Sequence, residues 1–355
     1  MNHAAIELAL CSTFAVLVAA GGVTFLQRHA AKLGLVDLPD VRKQHGEPVP
    51  VVGGLAVAFA FVLTGLLCRV EARLLAAFAV ASLPLLLIGL LDDKQGLNAR
   101  EKLAAQSLVA AIAVFGGGVV VHELGDLLGF GVLALGWFAI PFTIVCLVGT
   151  INAFNMTDGV DGLAGGLALV SVLAFGGAAA LLDASTELSL AVALGGALVG
   201  FLCFNLQYRA RPFRVFLGDS GSTFLGFALA WLAVAIAQRP GGRLYPIAAV
   251  WVLGVPLLDM GTTMVLRATR GHNPLAPDRT HLHHLLAALG LSPKRVVVIE
   301  VGAAALLAGV GLGAWRHQVP EALLTYGFLA TALVYLLGVH LAWRQLGEPA
   351  DRTGA

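Results

Sequence analysis

The stretch NAFNMTDGVDG, residues 152–162, places Asn155, Asp158 and Asp161 at intervals of three. On a helix beginning there, that spacing would bring their oxygens to one face and aim them at a common point, and Gly159 and Gly162 would keep that face open. FLGDSGS, residues 216–222, adds Asp219 between Gly218 and Gly221. Those glycines permit close backbone approach, and N–H groups at a helix start suit anionic oxygens. Hard oxygen donors of this kind suit Mg²⁺, or Mn²⁺ in its place, completed by waters and substrate phosphates. Cations stand in the other polar segments: Lys102, Arg209, Arg211, Arg214 and Arg279, beside His281, His283 and His284. Carboxylates, a divalent metal and surrounding cations are the equipment of phosphoryl transfer.

These residues need elements to hold them, and composition says what the elements are. Hydrophobic residues make up 58% of the 355 and charged ones 12%, with a mean hydropathy of +0.87, whereas an ordinary soluble domain carries about a quarter charged residues. Such a chain belongs in a bilayer. Each crossing needs about 20 apolar residues, and the sequence divides into eleven such runs, at roughly 5–26, 51–68, 73–91, 103–121, 132–149, 160–182, 188–206, 219–237, 245–266, 296–314 and 322–343. The expected fold is all-α, a polytopic membrane protein of about 11 transmembrane helices, with one domain over residues 1–344 and a short cytoplasmic tail over 345–355. The first run has no basic n-region and no small-residue cleavage pattern, so it reads as a retained span. Cys11, Cys68, Cys146 and Cys203 lie inside apolar runs without CxxC spacing, which indicates neither a disulfide framework nor a zinc site.

Basic residues set the orientation. With the N-terminus outside, Arg28, Lys32, Arg42, Lys43, Lys94, Arg100, Lys102, Arg209, Arg211, Arg214, Arg267, Arg270, Arg279, Lys294, Arg295, Arg344 and Arg352 share one side. The opposite loops hold only Arg69, Arg73, Arg239, Arg243 and Arg316. The positive-inside rule puts the larger set in the cytoplasm and, after eleven spans, the C-terminus there too. Trp315 and Trp343 fall where spans should meet the interface, as an aromatic belt would have them. The balance of 22 basic against 21 acidic residues argues against a nucleic-acid partner, for want of an excess positive field. The chain has no Gly-Lys pair and hence no Walker loop.

Five polar segments fall on the cytoplasmic side: DLPDVRKQHGEPVPVVGG, LLDDKQGLNAREK, NAFNMTDGVDG, NLQYRARPFRVFLGDSGS and GHNPLAPDRTHLHHLL. Carboxylates at a bilayer edge are costly unless they serve a site, so one composite cytoplasmic active site is expected. In order and content these segments resemble the polyprenyl-phosphate N-acetylhexosamine-1-phosphate transferases, membrane enzymes that move a sugar phosphate from a UDP-sugar onto a lipid phosphate and release UMP. The resemblance runs from about residue 28 to 295 and includes Gly53-Gly54, the pair Asp92-Asp93, NAFNMTDGVDGL, FLGDSGS and the histidine loop. PDRTHLHH is closer to the branch that uses UDP-N-acetylglucosamine and undecaprenyl phosphate to start O-antigen, common antigen and teichoic acid linkage units. The alternative branch, which transfers phospho-N-acetylmuramoyl-pentapeptide for peptidoglycan, typically has three adjacent histidines, and here Leu282 interrupts the run.

The resemblance implies Mg²⁺ on Asn155 and Asp219. It implies a uridine pocket at Asp161 and the backbone around Gly159 and Val160, where Asn205 and the ring of Phe216 would contact the base. Arg279, His281 and His284 match the loop that faces the pyrophosphate, with His283 beside them, and Asp92, paired with Asp93, matches the residue that acts on the lipid phosphate. Lys102 and Asp158 join the substrate-binding set, and Arg42 and Lys43 are placed at the lipid headgroup. A phosphate monoester has a second pKa of about 6, so Asp92 is suited to orienting the nucleophile, or to setting local charge, more than to taking a proton; one displacement and a covalent aspartyl intermediate both stay open. The implied partners are a UDP-sugar, a polyprenyl phosphate and a bacterial inner membrane, and a homodimer is compatible with them.

Plainer readings stand beside these. Asp92 and Asp93 could cap a helix, the histidines could hold zinc, Arg209, Arg211 and Arg214 could serve orientation alone, and Arg42 and Lys94 could be solvated charges. A secondary transporter is the alternative from another class. It would place its ionisable residues near mid-membrane on broken helices, whereas here they gather at one edge.

Overall fold

Each apolar run of the sequence is built as helix. The computed structural model describes residues 3–38, 47–68, 70–206, 214–274 and 280–347. Its helices are α1 (His3–Leu33), α2 (Gly53–Leu67), α3 (Ala72–Gln95), α4 (Ala99–Gly117), α5 (Ala139–Met156), α6 (Leu163–Leu181), α7 (Ser185–Asn205), α8 (Gly218–Ala237), α9 (Pro246–Val252), α10 (Gly254–Thr269), α11 (Leu282–Ala288), α12 (Pro293–Arg316) and α13 (Glu321–Leu346). The chain is all-α and polytopic. Among the described residues its only sheet pairs β1 (Val36–Asp37) with β2 (Val49–Pro50).

Among the described residues, eight helices are long and apolar enough to cross a membrane, and α9 with α10, bent by 83° at their junction, makes a ninth if counted as one span. The two other expected spans differ for physical reasons. α2 has 15 residues, about 22 Å of helix against a hydrocarbon core of about 30 Å. α4 opens on Arg100, Glu101 and Lys102, which keep its first turn out of hydrocarbon. Residues 348–355 of the expected tail lie outside the described residues.

α8 is the axis of the bundle. Its sequence is apolar on nearly every face beyond the first turn, the pattern of a helix enclosed all round, and α2, α3, α5 and α6 pack about it. Phe78 of α3 meets Phe224 edge-on at 5.9 Å and Trp231 at 5.3 Å, a geometry that ring quadrupoles favour. α1 lies against α7, where a Cβ on Gly196 or Gly200 would come within 2.6 or 2.5 Å of the carbonyls of Ser12 and Val16. That is the small-residue spacing by which membrane helices approach closely.

The polar end of α8 is held by backbone. After β2 the chain makes a parallel bridge between Val51 and Phe216. Gly53 and Gly54 then donate their N–H groups to the carbonyls of Phe216 and Leu217, both at 3.0 Å. A Cβ on Gly54 would stand 2.2 Å from Gly221 Cα, so the Gly53-Gly54 pair is a seam of backbone on backbone between α2 and α8. Gly218 has φ +79°, and a Cβ there would strike Val51 at 2.4 Å and the Asp93 carboxylate at 2.8 Å; only glycine fits both conditions.

The two tryptophans expected in an aromatic belt are each hydrogen-bonded to the protein. Trp343, 3% exposed, donates its indole N–H to Thr280 at 2.9 Å, and Trp315 donates to Arg243 at 3.1 Å. An indole has a single donor and takes a carbonyl where packing brings one within reach. The orientation inferred from charge has a direct test at Ser292, an exposed residue ahead of α12. With the native cysteines replaced, Ser292→Cys is expected to react with a membrane-impermeant thiol reagent only after cells are opened. Labelling of intact cells would reverse the topology.

Candidate active site

The ends of α3 and α5 and the starts of α4 and α8 meet at one end of the bundle. α3 stops at Gly96, φ +71°. α4 restarts behind a capping box in which Asn98 accepts from the Arg100 and Glu101 N–H groups and Glu101 accepts from the Asn98 N–H. This corner presents Lys102 to two acids: its ammonium is ion-paired with Asp92 and lies 3.4 Å from Asp219. Asp92 also accepts the Leu97 N–H at 2.7 Å. Asn155, in the last turn of α5, donates to Asp219 at 2.8 Å and to Ser222 at 3.0 Å.

Two expectations change here. The N–H groups at the start of α8 are not open to a substrate anion, because Asp93 accepts from Asp219 N–H at 2.9 Å and from Ser220 N–H at 3.5 Å. A carboxylate is a favoured partner for such orphan donors. Asp93 therefore caps a helix, though not its own, while Asp92 faces the Lys102 ammonium. Nor do Asn155, Asp158 and Asp161 line the face of a helix beginning there. α5 ends at Met156 and α6 starts only at Leu163, because Thr157 bonds back to the Phe154 carbonyl at 2.8 Å and Gly162 takes φ +84°. The intervening turns still converge. Asp158 is half-buried as a residue, but its carboxyl is enclosed; burial, and then the charges of Asp219, Asp93 and Asp161, hold it well above the usual carboxylate range.

The asparagines divide their roles. Asn152 donates to Gln106 Oε1 at 2.6 Å and accepts from Gln106 Nε2 at 3.3 Å, which clamps α5 to α4, so of the two asparagines in this turn Asn155 is the one that reaches the acids. Asn205, expected on the base, is 5% exposed: it accepts the Gly162 N–H at 2.6 Å and donates to the Val215 carbonyl at 2.9 Å. It thereby ties together two walls of the expected uridine pocket. Arg214 does more than orient the chain in the membrane. It pairs with Asp161 at 2.5 Å, and its guanidinium lies 4.8 Å from the centre of the Phe216 ring.

The histidine loop closes on these turns. A Cβ on Gly159 would fall 2.4 Å from His283 Nε2, so that ring packs on bare backbone. Burial, and then neighbouring His284, push His283 down to about 3 against the pull of Asp259. That favours the neutral form of the ring, which fills space against the 157–162 turns. His284 leans on it with ring centres 4.1 Å apart. His281, 5% exposed, sets Nδ1 2.8 Å from an oxygen of Asp259 in α10. Sequence spacing does not single out Asp259. The clue available was a lone acid inside an apolar run, where an ionisable group needs partners. Arg42, Lys43, Arg209, Arg211 and Arg279 lie outside the described residues.

The donor set suits a hard divalent cation. Asp92, Asp93, Asp158, Asp161 and Asp219 feel one another's charge or share a partner, and the cations paired to them among the described residues are Lys102 and Arg214. Among the described residues no three His, Cys, Asp or Glu side chains form a ready metal cage. Mg²⁺ needs none, because it is commonly held by one or two protein oxygens with waters and substrate phosphates. Asp219 and Asn155 are placed to supply them, the amide presenting Oδ1 in place of the nitrogen that now donates to Asp219.

Residues 75–237 match the family model described as glycosyl transferase family 4. The chain is 34% identical over 326 residues to the undecaprenyl-phosphate alpha-N-acetylglucosaminyl 1-phosphate transferase of Escherichia coli (strain K12), covering 90% of this chain and 88% of that protein. It is 35% identical over 323 residues to the protein of the same name from Yersinia pestis, covering 89% and 87%. The Pasteurella multocida (strain Pm70) protein of that name is 33% identical over 324 residues and 90% of each chain.

Proposed function

The chain belongs to glycosyl transferase family 4, and from that premise we propose that it transfers N-acetylglucosamine 1-phosphate from UDP-N-acetylglucosamine to undecaprenyl phosphate. The products are UMP and a lipid-linked first sugar for a surface polysaccharide, formed at the cytoplasmic face of a bacterial inner membrane. The observation that carries this reading is the convergence of Asp92, Lys102, Asn155 and Asp219 from four helices at one end of the bundle. A transporter's ionisable groups would line a path at mid-membrane; these sit at helix ends.

An oxygen of the lipid phosphate bonds to the sugar-bearing phosphorus, and the bridging P–O bond breaks with its electron pair leaving on UMP. Asp219 and Asn155 would hold Mg²⁺, which supplies charge neutralisation on the pyrophosphate. Lys102 adds a fixed positive charge beside them. Asp92 serves here by holding that ammonium in place: its carboxylate is already committed to Lys102 and to the Leu97 N–H, and the lipid phosphate, with a second pKa of about 6, has little need of a base. His281, on the loop that closes over the 157–162 turns, would bring a donor to the oxygens whose charge changes as the bond breaks. Phe216, with Arg214 and Asp161 beside it, offers the base a stacking face.

Purified protein is expected to release UMP from UDP-N-acetylglucosamine only when a polyprenyl phosphate and Mg²⁺ are both present, and not from the UDP-muramoyl-pentapeptide. UMP release without the lipid, or from the pentapeptide alone, would overturn the assignment. Phe216→Ala is expected to weaken UDP-sugar binding by on the order of 1 kcal/mol, the scale of a lost base stack, seen as a raised KM with kcat nearly unchanged.

A further inference from the structure

We infer that Asp259 is a positioning residue for the transfer step: it binds His281 through Nδ1 and so dedicates the ring's other nitrogen, Nε2, to the substrate's pyrophosphate. The inference rests on the assignment of His281 to the chemistry.

Asp259 is a carboxylate 3% exposed in the middle of α10, and a charge in such a place persists only when hydrogen-bonded or paired. Three groups converge on it. His281 Nδ1 lies 2.8 Å from Oδ2, while the Leu282 N–H and the Tyr335 hydroxyl donate to Oδ1 at 2.8 and 3.0 Å. These come from the histidine loop, the start of α11 and the middle of α13. The two oxygens thus do different things: Oδ1 anchors the loop and α13, and Oδ2 addresses the imidazole.

The hydrogen bond on one ring nitrogen determines what the other can do. With Nδ1–H given to Asp259, Nε2 is the ring's remaining polar atom. When the ring carries a proton there as well, the adjoining carboxylate balances its charge, and Nε2 becomes a charge-assisted donor to phosphate oxygen. The one other group near Nδ1, the Thr263 hydroxyl at 3.4 Å, is neutral and cannot replace that balance. His283 has no comparable partner: its Nδ1 is buried without a hydrogen bond. Two histidines two residues apart are thereby given different roles, one oriented by a carboxylate, one packed with its Nδ1 unbonded.

Asp259→Asn separates orientation from anchoring. An asparagine keeps an oxygen for Leu282 and Tyr335 but turns an amide N–H₂ toward His281, which removes both the acceptor for Nδ1–H and the negative charge. Expected in UMP release by the purified enzyme is a fall in kcat of tenfold or more, on the scale of losing a positioned charged donor, with KM for UDP-N-acetylglucosamine within about threefold of the parent. His281→Ala is expected to lose about a hundredfold or more in kcat. The double variant should be no slower than His281→Ala alone, because the aspartate acts only through the ring. A folded Asp259→Asn protein with normal kcat, or losses that multiply in the double variant, would overturn the inference. Should Asp259→Asn fail to fold, Tyr335→Phe decides: it removes one support of the carboxylate, and a kcat reduced severalfold at constant KM is expected, whereas an unchanged kcat counts against the proposal. If His281→Ala itself keeps full kcat, the parent reading of the histidine loop fails; if His281→Ala is slow and Asp259→Asn is not, only the role of Asp259 fails.

Discussion

Asp219→Asn is expected to reduce turnover by about a thousandfold or more while leaving the protein folded. Asp219 is the residue on which the site converges: Lys102 lies 3.4 Å from one oxygen and Asn155 donates to the other at 2.8 Å. An asparagine conserves shape but removes the charge that holds a divalent cation and, through it, the pyrophosphate. Losing one positioned electrostatic contact already costs on the order of a hundredfold to a thousandfold in rate, and this substitution disturbs the cation and Lys102 together. The measurement is UMP release at saturating UDP-sugar, beside a thermal unfolding curve in detergent. The backbone N–H that binds Asp93 is untouched by the change, so the unfolding midpoint should hold. Near-normal turnover in folded protein would remove Asp219 from the chemistry.

The second large effect is expected from one methyl group. Gly54→Ala would place a Cβ 2.2 Å from Gly221 Cα and 2.4 Å from its nitrogen, and no side chain can rotate away to relieve a clash of backbone with backbone. Overpacking of this kind costs about 1–3 kcal/mol or more. α8 starts at the point of contact, so displacement of its first turn by about 1 Å would misplace Asp219 and cost roughly a hundredfold in kcat. Gly177→Ala in α6, where an added Cβ meets nothing within 4 Å, is the control and should be active and at least as stable, since alanine is the better helix former. Equal behaviour of the two variants would refute the seam.

Much of this was legible in the sequence. Apolar runs in a chain with so little charge become helices, and the polar segments between them gather at one end because alternate loops of a bundle share a side. Asp219 at the start of α8 follows from a glycine-flanked acid opening an apolar run. What could not be read is partnership at long range. Nothing local distinguishes Asp92 from Asp93, yet one binds Lys102 and the other caps a helix that begins at Gly218. His281 and His283 differ only by which neighbours fold against them, a carboxylate in α10 and a glycine in the 157–162 turns. The three-residue spacing of Asn155, Asp158 and Asp161 mimics a helix face, but Thr157 turns back on Phe154 to end α5, and Gly162 delays the start of α6. The break between α9 and α10 lies inside one uninterrupted apolar run, where hydropathy has no means of showing an 83° bend.

The cap on α8 also sets a timetable for biogenesis. Asp93 leaves the ribosome 126 residues before the N–H group it will bind, and at about 5–20 residues per second that is a wait of roughly 6–25 s. During that interval α4 to α7 are still being made, and Phe78 has neither Phe224 nor Trp231 to meet. The early helices can pack on one another, α1 against α7 and α2 against both, but the faces of α2, α3, α5 and α6 that meet α8 have no protein partner until it enters. Asp92 and Lys102, ten residues apart in the sequence, emerge close together and can pair at once. Asp93 has no such early partner, and the entry of α8 is the event that turns an idle charge into a latch.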